Sequence, residues 1–285
     1  MIAWSLLACG PTLRPPELTY GPPAALPLVQ PESDRKRWYV QGSVGGQEGL
    51  WFVDTGYTNT TCDDDLPVAL GLEVVPRGST VGESGTVPVG RTRLPAFSLA
   101  GHEIEGLTCL VRDLPTTSSV RDPEVLGVLG MDVLGRLVLR YDPASPELGL
   151  DPPGERADGG VVYRVSGGRS PRARLRASFL GSEAWMLVDT GTAHTWVDGA
   201  RRGWSPTRDL GDRGVVGTGG STTARRLEYD IDQVLLGGVP GPAITALDRD
   251  VGLGRADLLG LDVLTAYRLT LDGPHRRAHI DPAAP

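Results

Sequence analysis

The chain of 285 residues is poor in the side chains that most often carry metal or redox chemistry, with three cysteines and four histidines. His102, His194, His275 and His279 are scattered, and none stands with cysteine or carboxylates at ligand spacing, so neither a metal nor a cofactor is expected. Basic residues are outnumbered, 28 Lys and Arg against 35 Asp and Glu, which leaves a formal net charge of −7. With no basic stripe either, nucleic acid is not expected as a partner. The apolar opening "MIAWSLLACG" is far too short to span a bilayer.

Glycine and proline are abundant, at 39 and 24 residues, and the runs between them are short and rich in Val, Leu, Thr and Trp. That pattern favours many short strands joined by tight turns over helices. Apolar residues at 40% and charged residues at 22% are ordinary globular usage, and the length suffices for two domains with modest cores.

An internal repeat organises the chain. "LWFVDTGY" (50–57) and "WMLVDTGTAHTW" (185–196) each run four apolar residues into Asp-Thr-Gly, placing Asp54 and Asp189 at corresponding positions. Downstream, "GVLGMDVLGRLVLRYD" (127–142) recurs as "DLLGLDVLTAYRLTLD" (257–272), with Gly130 and Gly260, Asp132 and Asp262, and Asp142 and Asp272 in register. Two matched pairs of segments identify a tandem duplication. A carboxylate at the end of a buried strand is costly unless paired or used, so the two aspartates are candidates for each other's partner.

Between these landmarks lie two glycine-rich hairpins, "STVGESGTVPV" (79–89) and "VVGTGGSTTAR" (215–225). The polar stretch "DPPGERADGG" (151–160) reads as the boundary between repeats. The expected domains are therefore 38–152 and 153–285, preceded over 1–37 by a signal-like segment and a Pro-rich tether, extended rather than packed. Leu6-Leu7-Ala8-Cys9 resembles a bacterial lipobox, which implies lipidation of Cys9 and a place in the cell envelope, facing the periplasm or exterior; the alternative is a frayed N-terminus of a cytoplasmic protein. Membrane contact is expected only through that anchor. Of the remaining cysteines, Cys62 and Cys109 fall in one repeat, either paired in an oxidising compartment or as two buried thiols.

An apolar strand ending in Asp-Thr-Gly, a glycine-rich hairpin, and then two apolar residues followed by glycine resembles the retropepsin-like aspartic proteases. Segment 127–134 has the "GxLGxDxL" form common in bacterial members, and the resemblance runs from about residue 38 to 283. It implies an all-β fold of two pepsin-like lobes about a pseudo-twofold axis, with a cleft between them. The implied activity is endopeptidase cleavage of a peptide or protein substrate by an Asp54–Asp189 pair acting through water. With both half-sites in one chain, a monomer is expected. The resemblance assigns Thr55 and Thr190 to cross-lobe hydrogen bonds, and Gly56 and Gly191 to close backbone approach beside the carboxylates. It makes flaps of Gly82, Glu83, Ser84 and Gly85 in one lobe and of Gly217, Thr218, Gly219 and Gly220 in the other.

The residue after Asp-Thr-Gly is usually Ser, Thr or Ala in this family. Thr192 conforms, and its hydroxyl is expected to hydrogen-bond Asp189; Tyr57 departs from the pattern. Asp132 and Asp262 are read as capping or beginning a short helix, and the tryptophans as core and interlobe packing, with Trp51 close to the cleft. Two rival classes are weighed. Phosphate loops of actin-like and sugar kinases share an Asp-x-Gly-Thr element, but those folds are longer and their repeats do not end in Leu-Gly-x-Asp-Val-Leu. A peptide-binding or scaffold protein that kept the fold and lost turnover is the other alternative.

Overall fold

The computed structural model describes residues 16–31, 37–82, 85–114, 124–155, 160–162, 164–166, 172–217, 220–248 and 257–283. It is nearly all β, with 56% strand and 7% helix in three sheets. One ten-stranded sheet belongs to the first half of the chain and another to the second half. Over seven strands from the hairpin edge their order is the same. From the hairpin edge inward, the first runs Val75–Gly82, Gly85–Arg93, Thr108–Val111, Thr61–Cys62, Val125–Leu129, Gln47–Val53 and Tyr39–Val44. The second runs Arg208–Gly217, Gly220–Ile231, Ile244–Asp248, Trp196–Val197, Leu258–Leu259, Ser182–Val188 and Arg172–Phe179.

At the centre of each sheet, the strand that leads into Asp-Thr-Gly lies parallel to the strand that leads into Gly130 or Gly260. Val53 stands opposite Leu129, and Val188 opposite Leu259. Central strands covered on both faces need not alternate apolar with polar residues, and Leu50, Trp51, Phe52 and Val53 are all buried. Trp51, expected close to the cleft, is fully buried in the core. Its ring packs against Phe97, with centroids 4.7 Å apart. A Cβ on Gly42 or Gly127 would meet the same ring at 2.8 or 2.7 Å, so the two glycines make room for the indole.

The third sheet joins the halves. Val138–Asp142 and Tyr267–Asp272 pair antiparallel, with Leu139 opposite Leu271, and their hairpin partners Ser145–Asp151 and Arg277–Pro282 extend the sheet on either side. The core is correspondingly continuous: Leu139, Leu148, Leu269 and Leu271 belong to the same buried cluster as Val53 and Val188.

The tether expected over residues 1–37 is not free chain from residue 16 to residue 31. Glu17–Thr19 adds to the first sheet beside His102–Glu105, and Ala24–Pro27 adds to the joining sheet beside Ser145–Asp151. Both are edge strands, where proline is tolerated because one row of N–H groups has no ladder to serve. The buried His102 pins the segment between them: Nδ1 accepts the Gly21 N–H at 3.0 Å, and Nε2 lies 2.9 Å from the Leu150 carbonyl. Cys9 and its apolar segment lie outside the described residues. Among the described residues no helix is long and apolar enough to cross a membrane.

Cys62 and Cys109 form a disulfide, their Cα atoms 5.9 Å apart, tying the strand after the first Asp-Thr-Gly loop to the strand paired with the first hairpin. Closing a loop of 47 residues restricts the unfolded chain by about 4 kcal/mol on the chain-entropy account. Replacing both cysteines by serine should lower stability toward urea by up to about that amount. The extra amide exchange should be concentrated in the first ten-stranded sheet, and an exchange map changed equally in both halves would contradict this.

Candidate active site

The two Asp-Thr-Gly loops meet at the boundary between the halves, and the contact is reciprocal. Thr55 donates its hydroxyl to the Val188 carbonyl at 2.9 Å, and Thr190 donates its hydroxyl to the Val53 carbonyl at 2.7 Å. Each hydroxyl also accepts the other threonine's backbone N–H at 3.1 Å. Both threonines are buried, at 0% and 2% exposure, so four backbone groups that face no water are paired by two side chains.

This cross-link sets the aspartates. Asp54 donates its N–H to Leu129 O at 3.1 Å, and Asp189 donates its own to Leu259 O at 3.0 Å, which anchors each to the neighbouring parallel strand. Asp54 Oδ1 accepts the Gly56 N–H, and Asp189 Oδ1 accepts the Gly191 N–H, both at 2.9 Å. Each carboxylate then lies over the glycine of the opposite loop. A Cβ on Gly56 would stand 2.5 Å from both oxygens of Asp189, and one on Gly191 would stand 2.5 and 2.6 Å from those of Asp54. Neither glycine has a positive φ, so its requirement is proximity to the other carboxylate and not backbone conformation. Sequence-predicted Asp54, Thr55, Gly56, Asp189, Thr190 and Gly191 are thus brought into one constellation.

A second layer supports it. Asp132 accepts the Thr60 N–H and hydroxyl, both at 2.8 Å, and Thr60 Oγ1 accepts the Gly130 N–H at 3.2 Å. The other half repeats this through Asp262, Thr195 and Gly260 at 2.9, 2.7 and 3.1 Å. Asp132 and Asp262 begin the short helices, in their first turn, and do not cap them. Gly130 and Gly260 occupy the N-cap positions, ahead of the four-residue helices Met131–Leu134 and Leu261–Leu264. Burial pushes both carboxyls above their usual range, and the bonds from Thr60 and Thr195 oppose it. Thr60 and Thr195 escape sequence reading because a threonine six residues after an aspartate has no signature of its own. Their signal is that they repeat in register.

Two expectations change at the residue after the tripeptide. The Thr192 hydroxyl donates to the His194 carbonyl at 3.1 Å and accepts the Trp196 Nε1–H at 3.0 Å, so its single proton is spent on main chain and not on Asp189. Tyr57 nonetheless keeps the backbone role of its counterpart. Its carbonyl accepts the Met131 N–H at 2.9 Å, as that of Thr192 accepts the Leu261 N–H at 3.0 Å. The phenol ring of Tyr57 lies beneath the Arg112 guanidinium, 6.0 Å from its centroid.

The hairpins close as Gly82 opposite Gly85 and Gly217 opposite Gly220, and the strands Gly85–Arg93 and Gly220–Ile231 contact each other. Glu83, Ser84, Thr218 and Gly219 lie outside the described residues. His194 is exposed, its Nδ1 4.0 Å from an Asp262 oxygen. Among the described residues, the cluster with metal-like spacing is Asp63, Asp64 and Asp113, largely exposed.

Residues 40–133 match a family model described as aspartyl protease, a span that includes the first Asp-Thr-Gly and the first Leu-Gly-x-Asp segment. The match supports an aspartyl protease family and, in general terms, hydrolysis of peptide bonds. No curated protein matches the chain.

The threonine cross-link yields a direct test. Thr55→Val leaves the Val188 carbonyl and the Thr190 N–H unpaired in the interior, at roughly 1–3 kcal/mol for each group. Thr55→Ser should restore most of the loss in urea unfolding, because it returns the hydroxyl. A valine variant as stable as wild type would show that the bonds carry no net stability.

Proposed function

We propose that the protein is a single-chain aspartic endopeptidase in which Asp54 and Asp189 activate one water between them. The observation that carries this reading is the reciprocal seating of each carboxylate over the other loop's glycine. Two carboxyls held this close cannot both ionise comfortably, so the pair keeps one proton. The ionised member then takes a proton from water as the oxygen attacks the scissile carbonyl, and the protonated member donates to the carbonyl oxygen. Collapse of the tetrahedral species returns a proton to the leaving amine and resets the pair.

The aspartyl protease match over 40–133 supports this for the first half, and the matching strand order and repeated bonds support extending it to the second. Each Oδ1 accepts one backbone N–H at the same 2.9 Å, so that bond favours neither aspartate as the base. Thr192 does not break the tie, given where its hydroxyl is used. The two hairpins are suited to cover a bound peptide and exclude water, since they rise from corresponding edges and touch.

Digestion of a peptide library should show endopeptidase products that disappear with a statine-type inhibitor. Asp54→Asn and Asp189→Asn should each reduce cleavage to the uncatalysed background while the protein remains folded. Specific activity should be unchanged on dilution, because both half-sites belong to one chain. Full activity in either single variant would overturn the shared site, and peptide binding without cleavage by the wild type would favour the scaffold reading.

A further inference from the structure

Arg172 opens the strand Arg172–Phe179 of the second half, yet its guanidinium reaches the first half, where Nη1 donates to the Gly56 carbonyl at 3.1 Å. Gly56 is the residue whose N–H holds Asp54 Oδ1 and whose Cα lies against the Asp189 carboxylate. The cation therefore holds the residue that contacts both aspartates. Its Nε is buried with no hydrogen-bond partner, and no carboxylate pairs with it among the described residues. By contrast, Arg176 on the same face of the strand pairs with Glu183. A guanidinium with a buried, unbonded Nε and no carboxylate of its own among the described residues is stabilised by a nearby negative charge. An aspartate pair holding a single proton beside Gly56 would supply one. Desolvation and then repulsion from Arg172 push the neighbouring Arg174 guanidinium below its usual range.

Resting on the aspartic endopeptidase reading, we infer that Arg172 is a positioning residue for the aspartate pair, fixing the Gly56 peptide and favouring the singly ionised form of the pair. It acts through Gly56 and by its field, without touching substrate. No sequence motif marks it, and the structure assigns the role by one bond across the boundary between the halves.

The variants Arg172→Ala, Arg172→Gln and Arg172→Lys separate the two parts of the role. Alanine loses a hydrogen bond from a charged donor, so kcat should fall about tenfold with KM within about twofold. Removing a cation makes the first deprotonation of the pair harder, so the acidic limb of kcat/KM should move up by roughly half to one pH unit. Lysine, which keeps the charge, should hold the limb at its wild-type position. Glutamine, which keeps a donor, should recover kcat but not the limb. Amide exchange of segment 54–57 should rise in the alanine variant, while exchange in the strand Ser182–Val188 stays as in wild type. Unchanged exchange at 54–57, or raised exchange with kcat and the limb both unmoved, would overturn the inference. Glutamine and lysine with the same acidic limb would overturn its charge component. If the wild type cleaves nothing, the endopeptidase reading fails on its own, and the exchange comparison still decides whether Arg172 fixes this loop.

Discussion

Two buried threonine hydroxyls determine most of what this molecule can do. Each donates to a strand carbonyl of the opposite half and accepts the other threonine's N–H, in four bonds of 2.7–3.1 Å. Without them the loops would bury unpaired backbone groups where the halves meet. With them, the loops have essentially one way to dock, and that docking lays each aspartate across the opposite glycine. A methyl group on either glycine would force the carboxylate away, so the third residue of the tripeptide is as constrained as the first. The rest of the fold aims the loops. Parallel central strands fix the aspartate N–H groups, and the Asp132–Thr60 and Asp262–Thr195 bonds hold the segments just beyond.

The joining sheet adds rigidity at a larger scale. Val138–Asp142 and Tyr267–Asp272 are hydrogen-bonded neighbours, so relative movement of the halves is resisted by a ladder and a shared core as well as by the threonines. The N-terminal segment crosses from the first sheet to this one and is held by His102.

The β character and the paired loops were legible because they depend on short-range signals: glycine- and proline-punctuated apolar runs and a repeated tripeptide. The repeat also placed the glycines correctly, since Gly56 and Gly191 recur with their aspartates. What failed was reasoning about where individual side chains point. A threonine beside a carboxylate suggests a bond to it, but Thr192 is captured by Trp196 and a backbone carbonyl within its own loop. Trp51, next to the aspartate in sequence, faces the core because two glycines, one on each neighbouring strand, open space for it. A proline-rich stretch reads as a tether by composition, whereas edge strands make few compositional demands. Arg172 was invisible for another reason: its side-chain hydrogen bond to Gly56 spans 116 residues and ends on a backbone carbonyl, which has no identity in sequence.

The central claim is that Asp54 and Asp189 titrate as one unit. It is tested most directly by following the carboxyl carbon shifts of labelled aspartate against pH in wild type and in Asp189→Asn. If the two share a proton, the titration step of Asp54 moves when its partner is replaced. An Asp54 step that is superimposable in the two proteins would contradict the account.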